Sequence, residues 1–201
     1  MNELVRKSKK LAIEFVDIIR EIANDYDIYD VINNLEDFIE QFDVKVFYSN
    51  MEGFDKPHEI SGYSLVNDEG KPEIVLNVND SEQRQRFTMA HEFGHIVMHW
   101  NWLLKKEEGT NLKKDNYEVL FRKTSYSTFD NDLKEIQANE FAAELLLPHE
   151  LIIKGIGDVE ILNSPIDLDS MKQRVALAFN VSSSFANTQL VKIQRGEFKD
   201  E

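Results

Sequence analysis

Arg86-Phe87-Thr88-Met89-Ala90-His91-Glu92-Phe93-Gly94-His95-Ile96-Val97-Met98-His99 is the stretch on which the reading of this chain turns. Its centre, His91-Glu92-Phe93-Gly94-His95, is an HExxH pattern. On a helix, histidines at i and i+4 lie one above the other, so both imidazoles can reach one metal ion. Neutral imidazole suits Zn²⁺, and an open fourth position would hold a water whose proton Glu92 could take. Advancing about 100° per residue from Phe87, His91 falls near 40°, His95 near 80°, Thr88 near 100°, His99 near 120° and Glu92 near 140°. Every polar side chain from residue 87 to 99 shares that arc, and the rest of the circumference is apolar or glycine. Such a helix is buried nearly all round with one polar stripe, and buried His and Glu need partners. A metal would supply one. Without it the histidines would have to bond backbone carbonyls. His99 starts about 9 Å beyond the midpoint of the pair. It is therefore outside the ligand set, and it either supports the site, lines a cleft or ends the helix in solvent.

Working outward, a third ligand is required and the chain has no Cys. The helix expected over 132–147 offers three carboxylates, Glu135, Glu140 and Glu144. Glu135 shares a face with Ala138, Asn139, Ala142 and Leu146, so it is the inward carboxylate and the chosen ligand. Glu140 and Glu144 fall on the opposite face and are expected to meet water. The alternative for Glu135 is a capping box with Asp132 at the helix start.

Upstream, apolar periodicity predicts helices over 4–23 and 29–41, then strands at 44–48, 62–66 and 73–78 separated by turn-forming residues. A helix over 81–100 follows, with Asp80 and Gln83 in capping-box positions. Residues 101–131 are polar and locally basic, and the tail reads as two short helices near 168–179 and 183–193. The fold class is α+β. The expected organisation is an N-terminal helical extension (1–28), a core (29–150) and a C-terminal helical tail (151–201).

The two helices together resemble the ImmA/IrrE family of metallopeptidases. The resemblance lies in Arg86-Phe87-x-x-Ala90-His91-Glu92-x-Gly94-His95 and Glu135-x-x-Ala138-Asn139-x-Phe141-Ala142-x-x-Leu145-Leu146-x-Pro148, with Asn77 and His99 beside them. It implies a zincin-like core, zinc on His91, His95 and Glu135, Glu92 as catalytic base, and cleavage of helix-turn-helix repressors, often of mobile elements or stress responses. The 95–135 interval looks long for the family, the first helix looks added, and the tail resembles the family's helix pair. From Asp169 to Glu201 five basic residues meet four acidic ones, weak support for DNA contact.

Composition narrows the classes. The 201 residues are 42% hydrophobic and 30% charged, enough for a core and against disorder. The formal charge of −14 disfavours direct nucleic-acid binding. Glu14 and Asp17 interrupt any leader-like apolar run, and no segment has the roughly 18 apolar residues of a membrane span. The expectation is a cytoplasmic zinc endopeptidase of narrow specificity whose partner is a protein substrate. The alternative is an anti-repressor that sequesters its target around a structural metal. Tyr117, Tyr126, His149 and His99 are candidate oxyanion stabilisers.

Overall fold

The computed structural model describes residues 3–112 and 133–198. The chain divides into two compact units, Met1–Ala142 and Ala143–Glu201.

The first unit opens with α1 (Glu3–Ile22), which buries Ser8, Ala12, Val16 and Ile19 along one stripe. The helix expected over 29–41 is two helices, α2 (Ile28–Asn33) and α3 (Leu35–Glu40). Asp27 caps α2 through a capping box with Asp30. Asn34, at φ −135° and ψ 51°, breaks the pair while leaving Val31, Ile32, Leu35, Phe38 and Ile39 buried, so the apolar period runs through the break. Three strands follow: β1 (Lys45–Ser49), β2 (Gly62–Val66) and β3 (Pro72–Asn77). The order is β1-β3-β2, with β3 parallel to β1 and antiparallel to β2. One sheet face carries α4 (Glu82–His99), against β2 and β3. On the other, Phe54, Tyr63 and Leu65 pack on Met51, Ile60 and Val75.

The expected cap of α4 is not formed. Ser81 is the N-cap, without a side-chain bond, and Asp80 instead pairs with Arg84 at 3.3 Å. Asn101, in the left-handed region at φ 55°, turns the chain from α4 into α5 (Trp102–Glu107), a helix the polar composition conceals. Trp102 anchors it, buried and donating its indole N–H to Phe42 O at 2.7 Å. The last helix of the unit, α6 (Leu133–Leu146), continues into the second. An aromatic chain ties these helices together: Phe38 to Phe42 at 5.6 Å, Phe42 to Phe93 at 5.3 Å, and Phe93 to Phe141 at 5.9 Å. Such pairs add about 0.5–1.5 kcal/mol each beyond their burial.

The second unit contains α7 (His149–Ile156), a 3-10 turn at Val159–Asn163, α8 (Pro165–Ala178) and α9 (Ser183–Gln194). Ser164 and Ser182 cap α8 and α9 by accepting from Asp167 N and Phe185 N. Asn180, at φ 48°, makes the turn between them, and Leu162, Val181, Ala186, Leu190 and Ile193 form the unit's interior. The tail thus holds α7 and the 3-10 turn as well as the two expected helices. Of the basic interval, Lys105 and Lys106 lie in α5; Lys113, Lys114, Arg122 and Lys123 lie outside the described residues.

Candidate metal centre

Residues Thr88–Val97 of α4 are all buried, as is Arg86. The helix is therefore core on every side, and the polar stripe points into protein. Close approach of α6 makes this possible. A Cβ on Gly94 would lie 3.0, 3.2 and 3.3 Å from Cδ1, Cγ and Cβ of Phe141. A glycine lets the two helices meet at that point without displacing Phe141, and the meeting sets α6 beside the histidine pair.

The structure brings His91, His95 and Glu135 together, with one ligand atom from each mutually within 4.8 Å. His91 Nε2 and His95 Nε2 are 3.1 Å apart. Glu135 Oε2 is 3.4 Å from His91 Nε2, and Oε1 is 3.1 Å from His95 Nε2. Donors about 2.0–2.1 Å from a tetrahedral ion are separated by roughly 3.3 Å, so the triangle has the size of a zinc site's face.

The outer atoms of both imidazoles are also fixed. His91 Nδ1 is 3.1 Å from Asn139 Oδ1, which can only accept, so that nitrogen carries the proton and His91 Nε2 carries the lone pair. His99 Nε2 donates to Gln137 Oε1 at 3.1 Å, so His99 Nδ1 accepts from His95 Nδ1 at 2.9 Å and His95 Nε2 is likewise a lone pair. His99 is thus a support for His95, engaged at both nitrogens. Burial, then the adjoining His95, push its pKa down to about 4, which keeps it neutral and able to accept.

Three electron-pair donors therefore converge, and the space between them calls for positive charge. Protons on the imidazoles can supply it; they then donate to Glu135 and hold its carboxyl well below the usual range, His91 first and His95 second, against the opposing effect of burial. Two N–H groups at Nε2 atoms 3.1 Å apart would repel, however, whereas one divalent cation serves all three donors. The donor set fits a metal ion. The imidazoles are sealed, at 2% and 0% side-chain exposure, while Glu135 is 35% exposed, so solvent reaches the triangle on the Glu135 side.

Glu92 is fully buried and stands outside the converging triad. Ser64 Oγ, on β2, donates to its Oε2 at 2.8 Å. Sequence reasoning missed Ser64. The signal was available in the small residues Gly62 and Ser64, which recur at period two on the strand face turned toward α4. Gly62 is required there, since its Cβ would lie 2.7 Å from Thr88 Cγ2 and 2.8 Å from Val75 O. Asn77, also noted in the sequence, closes the sheet beneath α4: its side-chain amide donates to Ile60 O at 2.6 Å and Pro57 O at 3.1 Å, and its backbone carbonyl accepts from Gln85 Nε2 at 2.9 Å.

The expectation for Glu140 and Glu144 needs correction. Glu140 and Glu144 are buried, at 5% exposure each, where water was expected. Glu140 lies 3.8 Å from Lys9 Nζ of α1, and Glu144 lies 2.8 Å from His149 Nδ1. Of the oxyanion candidates, His149 is committed to Glu144 and stacks on Phe198 at 4.3 Å, and His99 is committed to His95 and Gln137. Tyr117 and Tyr126 lie outside the described residues.

Comparison with known proteins places these features in context. The sequence profile of the IrrE N-terminal-like domain, peptidase M78, matches residues 39–190. The chain is 26% identical over 129 residues to a Bacillus subtilis protein named Metallopeptidase ImmA, covering 64% of this chain and 62% of that one. It is 28% identical over 122 residues to a protein of Bacillus phage phi105 named Uncharacterized immunity region protein 2, covering 57% and 66%. Over 81 residues it is 35% identical to an Oligoendopeptidase F homolog of Borreliella burgdorferi, covering 40% and 12%. The chain thus spans a little under two thirds of the length of the first two relatives.

Proposed function

From the premise that this chain belongs to the IrrE N-terminal-like, peptidase M78 family, we propose that it is a zinc-dependent endopeptidase of narrow specificity whose substrate is a helix-turn-helix transcriptional repressor. The observation that carries the reading is the convergence of His91 Nε2, His95 Nε2 and the Glu135 carboxylate at 3.1–3.4 Å beside a buried glutamate that is not part of the triad. Two imidazoles and a carboxylate suit zinc. The repressor class rests on the resemblance, and the naming of one relative for a phage immunity region agrees with it.

His91, His95 and Glu135 would hold the ion, and Asn139 and His99 orient the two imidazoles from behind. When bound, the ion supplies Lewis acidity to the scissile carbonyl and to a water, whose pKa it lowers toward about 7. Glu92, held at Oε2 by Ser64, accepts the water's proton and passes it to the leaving amine nitrogen, so the carboxylate is regenerated. Glu92 itself is fully buried. The outer edge of β2 is unpaired among the described residues, and β2 packs on α4. An extended substrate segment adding to that edge would present its backbone alongside the site.

The test is incubation of the purified chain with the helix-turn-helix repressor encoded nearest its gene. The reading predicts two fragments from one cut, none after chelation, and recovery when zinc is restored. A stable complex without fragments would replace the protease by a sequestering anti-repressor. No helix among the described residues is long and apolar enough to cross a membrane.

A further inference from the structure

We propose that the chain pairs with a second copy of itself through α1, the two α1 helices lying antiparallel. The starting observation is that α1 has two apolar stripes. One, Ser8, Ala12, Val16 and Ile19, is buried within its own unit. The other, about 90° away around the helix, is Leu4, Leu11, Phe15, Ile18 and Ile22. Leu4, Leu11, Ile18 and Ile22 are 54%, 42%, 44% and 57% exposed. Exposed residues of this size, set on one line, mark a contact surface.

The spacing specifies a helix as the occupant. Leu4, Leu11 and Ile18 are one heptad apart, as are Phe15 and Ile22, and the two series interlock at the a and d positions of a coiled-coil seam. Residues of a surface helix that merely scattered apolar groups would not keep this register over twenty residues. The seam also opens into a cleft of about 810 Å³ walled by Phe15, Ile18 and Ile22 on one side and Leu104 of α5 on the other, with Phe42 and Val97 at its floor. Leu104 is itself 60% exposed.

Charge selects a second copy in antiparallel orientation. The first half of α1 carries Arg6, Lys7, Lys9 and Lys10 against Glu3, with Lys7 on Glu3 at 2.8 Å and Lys9 turned to Glu140 of its own copy at 3.8 Å; the second carries Glu14, Asp17 and Glu21 against Arg20, which lies 3.8 Å from Asp17. Asp25 and Glu107 add acid at the cleft, where Lys106 is already bound to Asp43 at 3.1 Å and to Gln41 O at 3.0 Å. A parallel pair would set like against like. An antiparallel pair sets each basic half against the other copy's acidic half. With Leu4 opposite the other copy's Ile22 and Leu11 opposite its Phe15, these layers match an a position with a d position, and Ile18 falls opposite Ser8, a small residue buried in its own copy. The N-terminal half of one α1 then fills the cleft beside the C-terminal half of the other, and Lys7 flanks the other copy's Glu21. Glu14 alone meets its own copy, near the two-fold axis, as a like-charge contact. The seam is about 30 Å long, so the pair is a weak, reversible dimer.

Sedimentation of the full chain over a concentration series tests this. The expected result is a monomer–dimer equilibrium with a Kd of about 1–50 µM. Leu11→Glu with Ile18→Glu should raise that Kd by at least ~100-fold while helix content and zinc content stay unchanged. Lys7→Glu alone and Glu21→Lys alone should each weaken the dimer, and the two together should restore it, which a misfolded variant could not do. Because the chain has no Cys, Leu11→Cys mixed with Phe15→Cys should cross-link, and neither alone should do so efficiently. A chain monomeric at about 200 µM would assign the seam to a different helix or an apolar small molecule and overturn the proposal. So would a dimer untouched by the double Glu variant, or a charge swap without recovery.

Discussion

Replacing Gly94 by Ala perturbs the contact that positions Glu135, the proposed third ligand. The added Cβ would lie 3.0, 3.2 and 3.3 Å from three atoms of Phe141, where ordinary carbon contacts are about 3.5–4.0 Å. Phe141 is fully buried against Phe93, so the expected response is a shift of Phe141 and α6 by a few tenths of an ångström. Two terms oppose each other in stability. Overpacking costs about 1–3 kcal/mol, and exchanging a helical Gly for Ala returns about 1 kcal/mol. The net loss is about 1 kcal/mol, or roughly 2–4 °C in Tm for a chain of this size. Metal binding should suffer more. Glu135 precedes Phe141 by six residues on the same helix and would be carried with it, whereas ligand distances tolerate about 0.2 Å. Zinc affinity should fall by about 10–100-fold, read by competition against a chromophoric chelator, with Tm from calorimetry of the metal-free protein. Unchanged affinity together with a raised Tm would show that helix propensity is all that Gly94 sacrifices, and the reasoning about close approach would be wrong.

Asn139→Ala removes the acceptor that fixes the His91 tautomer and should cost about 10-fold in zinc affinity with helix content intact; undiminished affinity would remove Asn139 from the site's support. Ser64→Ala removes the hydroxyl that donates to Glu92 Oε2 and should lower kcat by about 10-fold with KM and zinc content little changed, while Ser64→Thr should recover part of the rate; a loss confined to KM would contradict the positioning role. His99 supplies a pH prediction for the metal-free protein. Its pKa is lowered from 6.5 to about 4 in the folded chain, so the stability it contributes is full above pH 6.5 and is lost as pH falls toward 4. His99→Gln should flatten that part of the stability profile, and an unaltered slope in urea titrations between pH 7 and about 4 would refute the assignment.

Much of the site was legible because it is periodic. The polar stripe of α4 and the small residues Ala138 and Ala142 beside Glu135 turned those side chains inward without any knowledge of the fold. The same reasoning failed for Glu140 and Glu144, because it assumes that a helix has one wet side. In α6, burial runs around the helix, and the acids are met by Lys9 and His149, residues no local pattern connects to them. Ser64 failed for the related reason that β2 is covered on both faces. Tyr63 and Leu65 pack on the Met51 cluster while the alternate residues Gly62, Ser64 and Val66 are the buried ones on the other face. The break at Asn34 was invisible because the apolar period survives it, and α5 because two residues, Asn101 and Trp102, create it within a polar tract.

The most direct measurement is intact-mass analysis of the candidate repressor after incubation with zinc-loaded wild-type chain and with Glu92→Gln, whose zinc content is determined on the same samples. Glutamine keeps the size of Glu92 and can still accept from Ser64, but it cannot take a proton from water. The wild type should yield two fragments whose masses sum to the parent plus one water. Glu92→Gln should retain about one zinc per chain and cleave at least ~100-fold more slowly. Equal cleavage by the two proteins, or loss of zinc from the variant, would contradict the role of Glu92 as the base of a metallopeptidase.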